Sequence, residues 1–314
     1  MGTHVIIGSG AVGSGAALEL ANQGHEVKLV TRSGSGPEHA AVARIAADAS
    51  DVEQLTANAT GADAIYNCAN FPYHRWAEMW PPMSQALIAA ASLTGARLVT
   101  MSNLYGYAAG SSPMRESDPL DPPSENGRIR AAMWTEALAA QDAGKIQATE
   151  ARASDFIGPG IGETAHMGDR VVPRILAGKT ISVVGDPNQP HSWTAIGDVA
   201  TTLAELGTAD GVTGAPWHVP TGPPMTATEV INRIADLAGV ERVKVKGLPT
   251  VALTAAGVFS GPIRAMKTML YQFNEPFIMD SSHTEQTLGL SPTPFDETLV
   301  AAIESYRTGA PTHA

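Results

Sequence analysis

Gly8-Ser9-Gly10-Ala11-Val12-Gly13 is the first run in the chain whose spacing bears on chemistry, with glycines at its first, third and sixth positions. It follows the apolar run Val5-Ile6-Ile7 and opens a helical pattern from Ala11 to Asn22. In that setting the first glycine permits a tight turn. The second lets backbone approach a pyrophosphate, and the third lets the helix pack closely on the strand. The helix N-terminus then offers free N–H groups and the positive end of its dipole to phosphate. Gly8, Ser9, Gly10, Ala11, Val12 and Gly13 are therefore expected to cradle a dinucleotide. The next strand ends Val30-Thr31-Arg32-Ser33. A carboxylate at that place accepts hydrogen bonds from the ribose of NAD(H), and none is present. Arg32 instead supplies a guanidinium able to grip a phosphate with two N–H groups, and Thr31 and Ser33 add hydroxyls. The expected cofactor is NADP(H), ahead of NAD(H).

These residues need a scaffold that brings strand ends together. Strand patterns recur at Val27–Val30, Val42–Ala46, Ala64–Asn67, Arg97–Met101 and Ile146–Ala153, with helical patterns between several of them, at Ala86–Leu93 and at about Asn126–Gln141. Strands alternating with helices imply right-handed crossovers and a parallel sheet. Nearly all-apolar strands imply that both sheet faces are covered. The expected fold class is α/β, a Rossmann-type doubly wound parallel sheet with helices on both faces. A smaller mixed α/β substrate lobe follows, with short strands at Ile181–Val184 and Trp217–Val219 and a helix at Thr226–Ala238. The division is placed at 1–178 and 179–314, with the chain crossing between lobes more than once.

Composition narrows the function classes. The 314 residues carry 20 basic and 31 acidic side chains, a net charge of −11. With no lysine or arginine run, neither nucleic acid nor an anionic membrane surface is an expected partner. No apolar run approaches the length of a membrane span. The N-terminus lacks the regions of a signal peptide. Cys68 is the single cysteine, so an internal disulfide and a cysteine-based metal site are both excluded, which fits a cytoplasmic protein. No metal-ligand cluster and no nucleophile elbow is found. The expected partner is a small-molecule substrate, and the chain is compatible with a homodimer.

The order of motifs resembles the short-chain dehydrogenase/reductase superfamily, in particular the extended branch that includes the NAD-dependent epimerase/dehydratase family. Leu98 to Gly106, LVTMSNLYG, is similar to the fifth strand with its serine and Tyr-Gly signature. Arg152 to Gly160, RASDFIGPG, is similar to the segment on the nicotinamide side, and His191 to Val199, HSWTAIGDV, to an Asp-Val motif of the C-terminal part. The resemblance implies that Asp48 and Ala49 lie against the adenine. It also implies that Ala69 and Asn70, at the end of the fourth strand, pass along the cofactor, and that Ser154 and Asp155 reach its nicotinamide side. The first glycine of the branch's own G-x-x-G-x-x-G falls on Ile7 here. The larger departure is the family's Y-x-x-x-K pair, which falls on Asn126 and Arg130.

Asparagine cannot serve as an acid near neutral pH, although it can hold a carbonyl or begin a helix as its N-cap. Arg130 shares a helix face with Met133, Trp134 and Ala137 and is expected to turn toward the sheet and the cofactor ribose. Ser102, at a strand's carboxyl end, is a candidate to polarise a substrate carbonyl, with Thr100 and Asn103 as alternatives. Tyr105 and Tyr107 are candidates to replace the missing tyrosine or to line the pocket. His74, His166 and His191 lie in loops expected near the cleft. Trp76-Met79-Trp80-Met83 has helical spacing and reads as core or lobe interface. The catalytic set is thus Ser102, Asn126, Arg130 and Tyr105, in an NADP(H)-dependent oxidoreductase of a small carbonyl or alcohol. The alternatives are a sugar-nucleotide epimerase or dehydratase, and a non-catalytic NADP-sensing or scaffold protein.

Overall fold

The computed structural model describes residues 1–163, 165–248 and 268–309. Its centre is a seven-stranded sheet in which all pairings are parallel. The strands are β1 (Thr3–Ile7), β2 (Glu26–Thr31), β3 (Val42–Ala46), β4 (Ala64–Asn67), β5 (Arg97–Asn103), β6 (Ala148–Ala153) and, much later, β11 (Pro216–His218). Their spatial order is β11-β6-β5-β4-β1-β2-β3. The order reverses between β1 and β4, so the crevice at the carboxyl ends of these two strands is where a Rossmann-type sheet receives its ligand.

Helices cover both faces. On one side lies α1 (Ala11–Asn22), whose buried Gly13, Ala16, Ala17, Leu20 and Ala21 follow helical spacing. Beside it lies α6 (Ile196–Thr208). On the other side pack α2 (Val52–Ala59), α3 (Trp76–Thr94) and α4 (Glu125–Asp142). Each face has its own apolar layer: one built around Leu20, Leu29 and Leu203, the other around Trp80, Leu87 and Ile65. Truncating a side chain such as Leu20, which is fully buried, costs about 2–5 kcal/mol. The helix starts are chemically marked. Asp51 accepts from the backbone of Glu53 and Gln54 at α2, and Ser124 accepts from Gly127 N at α4.

Two readings of the sequence change. The helix expected from Ala86 begins at Trp76 and runs through Pro81 and Pro82. Proline weakens a helix by removing N–H donors, but burial of Trp76 and Trp80 anchors this first stretch. Asn126 is not the N-cap of α4, because Ser124 fills that place. The later chain returns to the main sheet through α6 and β11. The remainder forms a third apolar cluster from α5 (Val172–Leu176), β8 (Ile181–Val184), α7 (Ala227–Ala238) and the helix Phe295–Thr308. Thr226 and Glu229 form a reciprocal capping box at the start of α7. Among the described residues no helix is long and apolar enough to cross a membrane.

Candidate functional site

The glycine turn between β1 and α1 gives each glycine a distinct physical reason. Gly8 has φ +98°, a region L side chains rarely enter, and a Cβ there would stand 3.0 Å from the backbone of Cys68 and Ala69. A Cβ on Gly13 would stand 1.8 Å from the carbonyl oxygen of Gly8, so only glycine lets α1 lie this close to the turn. A Cβ on Gly10 would meet nothing within 4 Å. Gly10 is therefore not required by the protein's own packing. Its bareness leaves open space in front of the N-terminus of α1, where no side chain caps the helix and no acidic residue occupies the first turn. Ala11 and Val12 supply the first N–H groups of that helix. Ser14 ties the turn down, its hydroxyl donating to Ser9 O at 2.8 Å. The cradle fits a pyrophosphate.

At the end of β2 the side chains form a hydroxyl cluster that the sequence only partly disclosed. Ser35 is its centre. Its Oγ lies 3.1 Å from Ser9 Oγ and accepts from Ser33 Oγ at 3.0 Å, and its N–H donates to Thr31 Oγ1 at 2.9 Å. This joins the glycine turn to the strand end. Arg32 is exposed beside it, and its charge is felt by Asp48 across the strand ends. The hydrogen bonds from Ser50 hold the Asp48 carboxyl below the usual carboxylate range, with a smaller contribution from Arg32. Asp48 accepts from both Ser50 N and Ser50 Oγ, and Ala49 packs on the apolar layer beneath. Ser35 was missed because nothing in its spacing separates it from an ordinary turn serine.

The other residues expected along the crevice fall at the same edge of the sheet. Ala69 borders Gly8, and Asn70 accepts from Phe71 N at 3.0 Å. Asn67, at the end of β4, is fully buried, and neither its Oδ1 nor its Nδ2 has a partner. Ser154 donates its backbone N–H to Thr194 Oγ1 but its own hydroxyl is unpartnered. Asn126 is buried with an unpartnered Nδ2. Buried polar groups are nearly always satisfied, so these groups, unpaired among the described residues, leave the carboxyl ends of β4 and β6 and the start of α4 able to receive a ligand.

Arg130 does turn inward. It is buried with Met133, Trp134 and Ala137. Its guanidinium lies 4.2 Å from the ring centre of Trp80 and 4.7 Å from that of Trp76. Nη1 donates to Met101 O at 3.5 Å, and Nε has no partner. Burial pushes its pKa down to about 10, against the opposing pull of Glu150. The aromatic patch read as core is therefore both core and the bed of this arginine. Arg128 on the same helix is exposed. Ser102 is buried opposite Arg152 in the β5–β6 register, and its hydroxyl bonds Glu150. Burial raises the Glu150 carboxyl, opposed by Arg152, Arg130 and Ser102.

The two loop tyrosines part company. Tyr107 is committed to a buried network, with its Oη 2.7 Å from both His218 Nε2 and Arg152 Nη1. Its role as a free acid is withdrawn on that ground. Tyr105 stands instead with Tyr73, their hydroxyls 2.6 Å apart. Tyr73 lies on the single turn Tyr73–Arg75 that leads into α3. The Asp155 side chain bonds no backbone group among the described residues but bonds His191 Nε2 at 2.7 Å. Burial pushes Asp155 up, but His166 and His191 outweigh it and hold the carboxyl below the ordinary range. His74 is exposed on the turn. Among the described residues no group of three or more metal-binding side chains assembles.

Residues 5–215 match the model of the NAD dependent epimerase/dehydratase family. The structure of MoeE5 in complex with UDP-glucuronic acid and NAD is similar, with TM-score 0.81, 21% identity, and coverage of 98% of this chain and 100% of that one. A dTDP-glucose 4,6-dehydratase from Bacillus anthracis in complex with NAD has TM-score 0.80 and 16% identity, over 99% of this chain and 98% of that one. A UDP-glucose 4-epimerase with UDP-glucose from Thermotoga maritima has TM-score 0.79 and 18% identity, over 98% of this chain and 100% of that one. At these identities the likeness is one of fold. No match was found among curated proteins.

Proposed function

The chain belongs to the NAD-dependent epimerase/dehydratase family, and from that premise we propose that it is an NADP(H)-dependent oxidoreductase acting on a small organic carbonyl or alcohol. The observation that carries the reading is the pairing of the open glycine cradle with the strand end beside it. Gly10 faces free space before an uncapped helix N-terminus. Arg32 and the hydroxyls of Thr31, Ser33 and Ser35 stand where an NAD site carries a carboxylate. A guanidinium and several hydroxyls suit a 2′-phosphate better than a bare ribose diol.

The bound nicotinamide supplies the two-electron chemistry. The chain's own residues hold and orient. Gly8 to Gly13 receive the pyrophosphate. Asp48 and Ala49 flank the adenine, and Ala69, Asn70, Ser154 and Asp155 line the path toward the reacting end. The free Nε of Arg130 is left to donate to ribose. The free Nδ2 of Asn126 is left to hold the substrate oxygen, while the Ser102 hydroxyl is committed to Glu150. The alternative, a sugar-nucleotide epimerase or dehydratase, is favoured by the NAD complexes among the similar structures. It is weakened by the end of β2, which carries Arg32 and no carboxylate to receive the ribose of NAD. The full chain with NADPH and a set of aldehydes and ketones separates the readings at 340 nm. Steady loss of NADPH supports the reductase. Product without net cofactor loss supports the epimerase, and tight binding with no reaction supports a sensor.

A further inference from the structure

An oxidoreductase of this build needs a group that gives a proton to the substrate oxygen, and position 126 cannot do so. We propose that the Tyr105–Tyr73 hydroxyl pair is the acid–base group of this site, with Tyr105 touching the substrate and Tyr73 positioning and resupplying it. The proposal rests on the oxidoreductase reading above.

Three observations converge on the pair. The first is geometric. Tyr105 follows β5, the strand that carries Ser102, and its Oη lies 2.6 Å from Tyr73 Oη. Each hydroxyl has one proton to give and can accept another, so the pair can pass a proton along itself. The second is the setting. Tyr105 stacks on Trp76, with ring centres 6.2 Å apart and planes 26° apart, and Trp76 also carries the Arg130 guanidinium. Tyr73 meets Trp76 edge-on at 5.1 Å. The phenols are thus held in fixed rotamers beside a buried cation, where the family's lysine would stand. The third is an unused donor. Tyr271 Oη is buried with no partner among the described residues; Tyr271 acts electrostatically on Tyr105, and Tyr73 on Tyr271. A third phenol left unsatisfied against the pair implies an oxygen-bearing ligand that completes it.

The charged and titratable groups facing the pair are Arg130 from α4, Asp155 from the strand Asp155–Ile157, and Tyr271. Asp155 in turn is fixed by His191. Burial, then Tyr73 and Asp155, push Tyr105 far up, so it stays protonated at neutral pH and ready to donate. In reduction, the carbonyl carbon gains a hydrogen and two electrons from the reduced nicotinamide, and the C=O π bond opens onto oxygen. That oxygen takes the Tyr105 proton. Tyr105 recovers one from Tyr73, and Tyr73 from solvent. The balance is one carbonyl, one reduced nicotinamide and one proton giving one alcohol and one oxidised nicotinamide.

The test uses the full chain and the variants Tyr105→Phe, Tyr73→Phe and Asn126→Ala. NADPH affinity is measured by calorimetry. Reduction of 4-nitrobenzaldehyde, 1-phenylpropane-1,2-dione and ethyl acetoacetate is followed from pH 6 to 10. The expected result is NADPH affinity within about twofold of the parent in both tyrosine variants. Tyr105→Phe should lower kcat about 100-fold or more, the typical worth of a positioned acid. Tyr73→Phe should lower kcat less and leave KM within about twofold of the parent, because Tyr73 resupplies the proton without touching the substrate. Asn126→Ala should act mainly on KM. A Tyr105→Phe enzyme with kcat within threefold of the parent overturns the proposal alone. So does a Tyr73→Phe enzyme whose kcat equals the parent's, or whose loss lies in KM and not in kcat. A parent chain that binds no dinucleotide, or that reduces none of the probes, overturns the oxidoreductase reading and this proposal with it.

Discussion

At the glycine-turn end of the crevice, backbone shapes the site and every participant is local. Six consecutive residues between β1 and α1 set the curve, the close approach and the free N–H groups. At the opposite end, side chains shape it, and they arrive from well-separated segments. Tyr73 comes from the turn before α3, Ser102 and Tyr105 from β5 and its loop, Asn126 and Arg130 from α4, and Asp155 and His191 from the second half of the chain. The comparison teaches where change is tolerated. A backbone cradle can be ruined by one added methyl but keeps its identity as long as the glycines remain. A side-chain cluster can exchange one member for another, provided some other segment brings an equivalent group to the same place.

The sharpest way to break this contrast lies within the glycine turn itself. Gly13→Val forces a Cβ to 1.8 Å from a backbone oxygen, and it should lower stability by at least about 3 kcal/mol, the top of the usual overpacking range. Gly10→Val adds its side chain where nothing stands, so urea unfolding should match the parent to within about 1 kcal/mol. Yet it should lose NADPH binding, because the side chain fills the phosphate's space. If both variants unfold alike, the division between a packing glycine and a ligand-facing glycine is wrong.

A smaller effect is expected at the side-chain end. Arg130→Ala removes a buried cation stacked on Trp76 and Trp80 and deprives Glu150 of a nearby positive charge. The loss should be about 3 kcal/mol in chemical denaturation. Arg130→Lys should recover only part of it, since the ammonium lacks the planar stack. Full recovery by lysine would show that the indoles contribute nothing beyond space for a charge.

The fold was legible because the strand pattern is strong and the crossovers leave few topologies. The strand Ile181–Val184 falls where the sequence placed it, and α4 differs by one residue at each end. The glycine turn was equally legible, since a contiguous motif encodes contiguous backbone. The early part of α3 showed only as the helical spacing Trp76-Met79-Trp80-Met83, and the helix was placed from Ala86. Pro81 and Pro82 fall inside the helix, and packing of Trp76 and Trp80 keeps it going. Tyr73 and Ser35 carried no usable signal. Their importance lies in which other side chains they meet, and those partners are 32 and 26 residues away, at Tyr105 and Ser9. Asp155 and His191 were each visible as candidates, but their pairing across 36 residues was not.

Two buried histidines give a milder test of how tightly the sheet region is closed. Burial, then His25, pushes His4 down to about 4, and burial pushes His218 in the same direction. Their folded pKa values lie below the unfolded 6.5, so the unfolded chain binds more protons as acid is added. Their contribution to stability is full above pH 6.5 and is lost as pH falls toward 4. Thermal unfolding midpoints should therefore decline between pH 6.5 and 4.5, and His4→Gln should flatten part of that decline. A curve unchanged by the substitution would place the acid sensitivity elsewhere.

The most direct test of the central claim is a paired calorimetric titration of NADPH and NADH into the parent chain and Arg32→Ala. The account predicts that the parent binds both at one site and prefers NADPH. In Arg32→Ala, NADPH should weaken by about 1.5–3 kcal/mol, the worth of a hydrogen bond to a charged group, while NADH changes little. Equal affinity for the two cofactors in the parent, or an equal loss of both in the variant, would contradict the assignment of the β2 end to a 2′-phosphate.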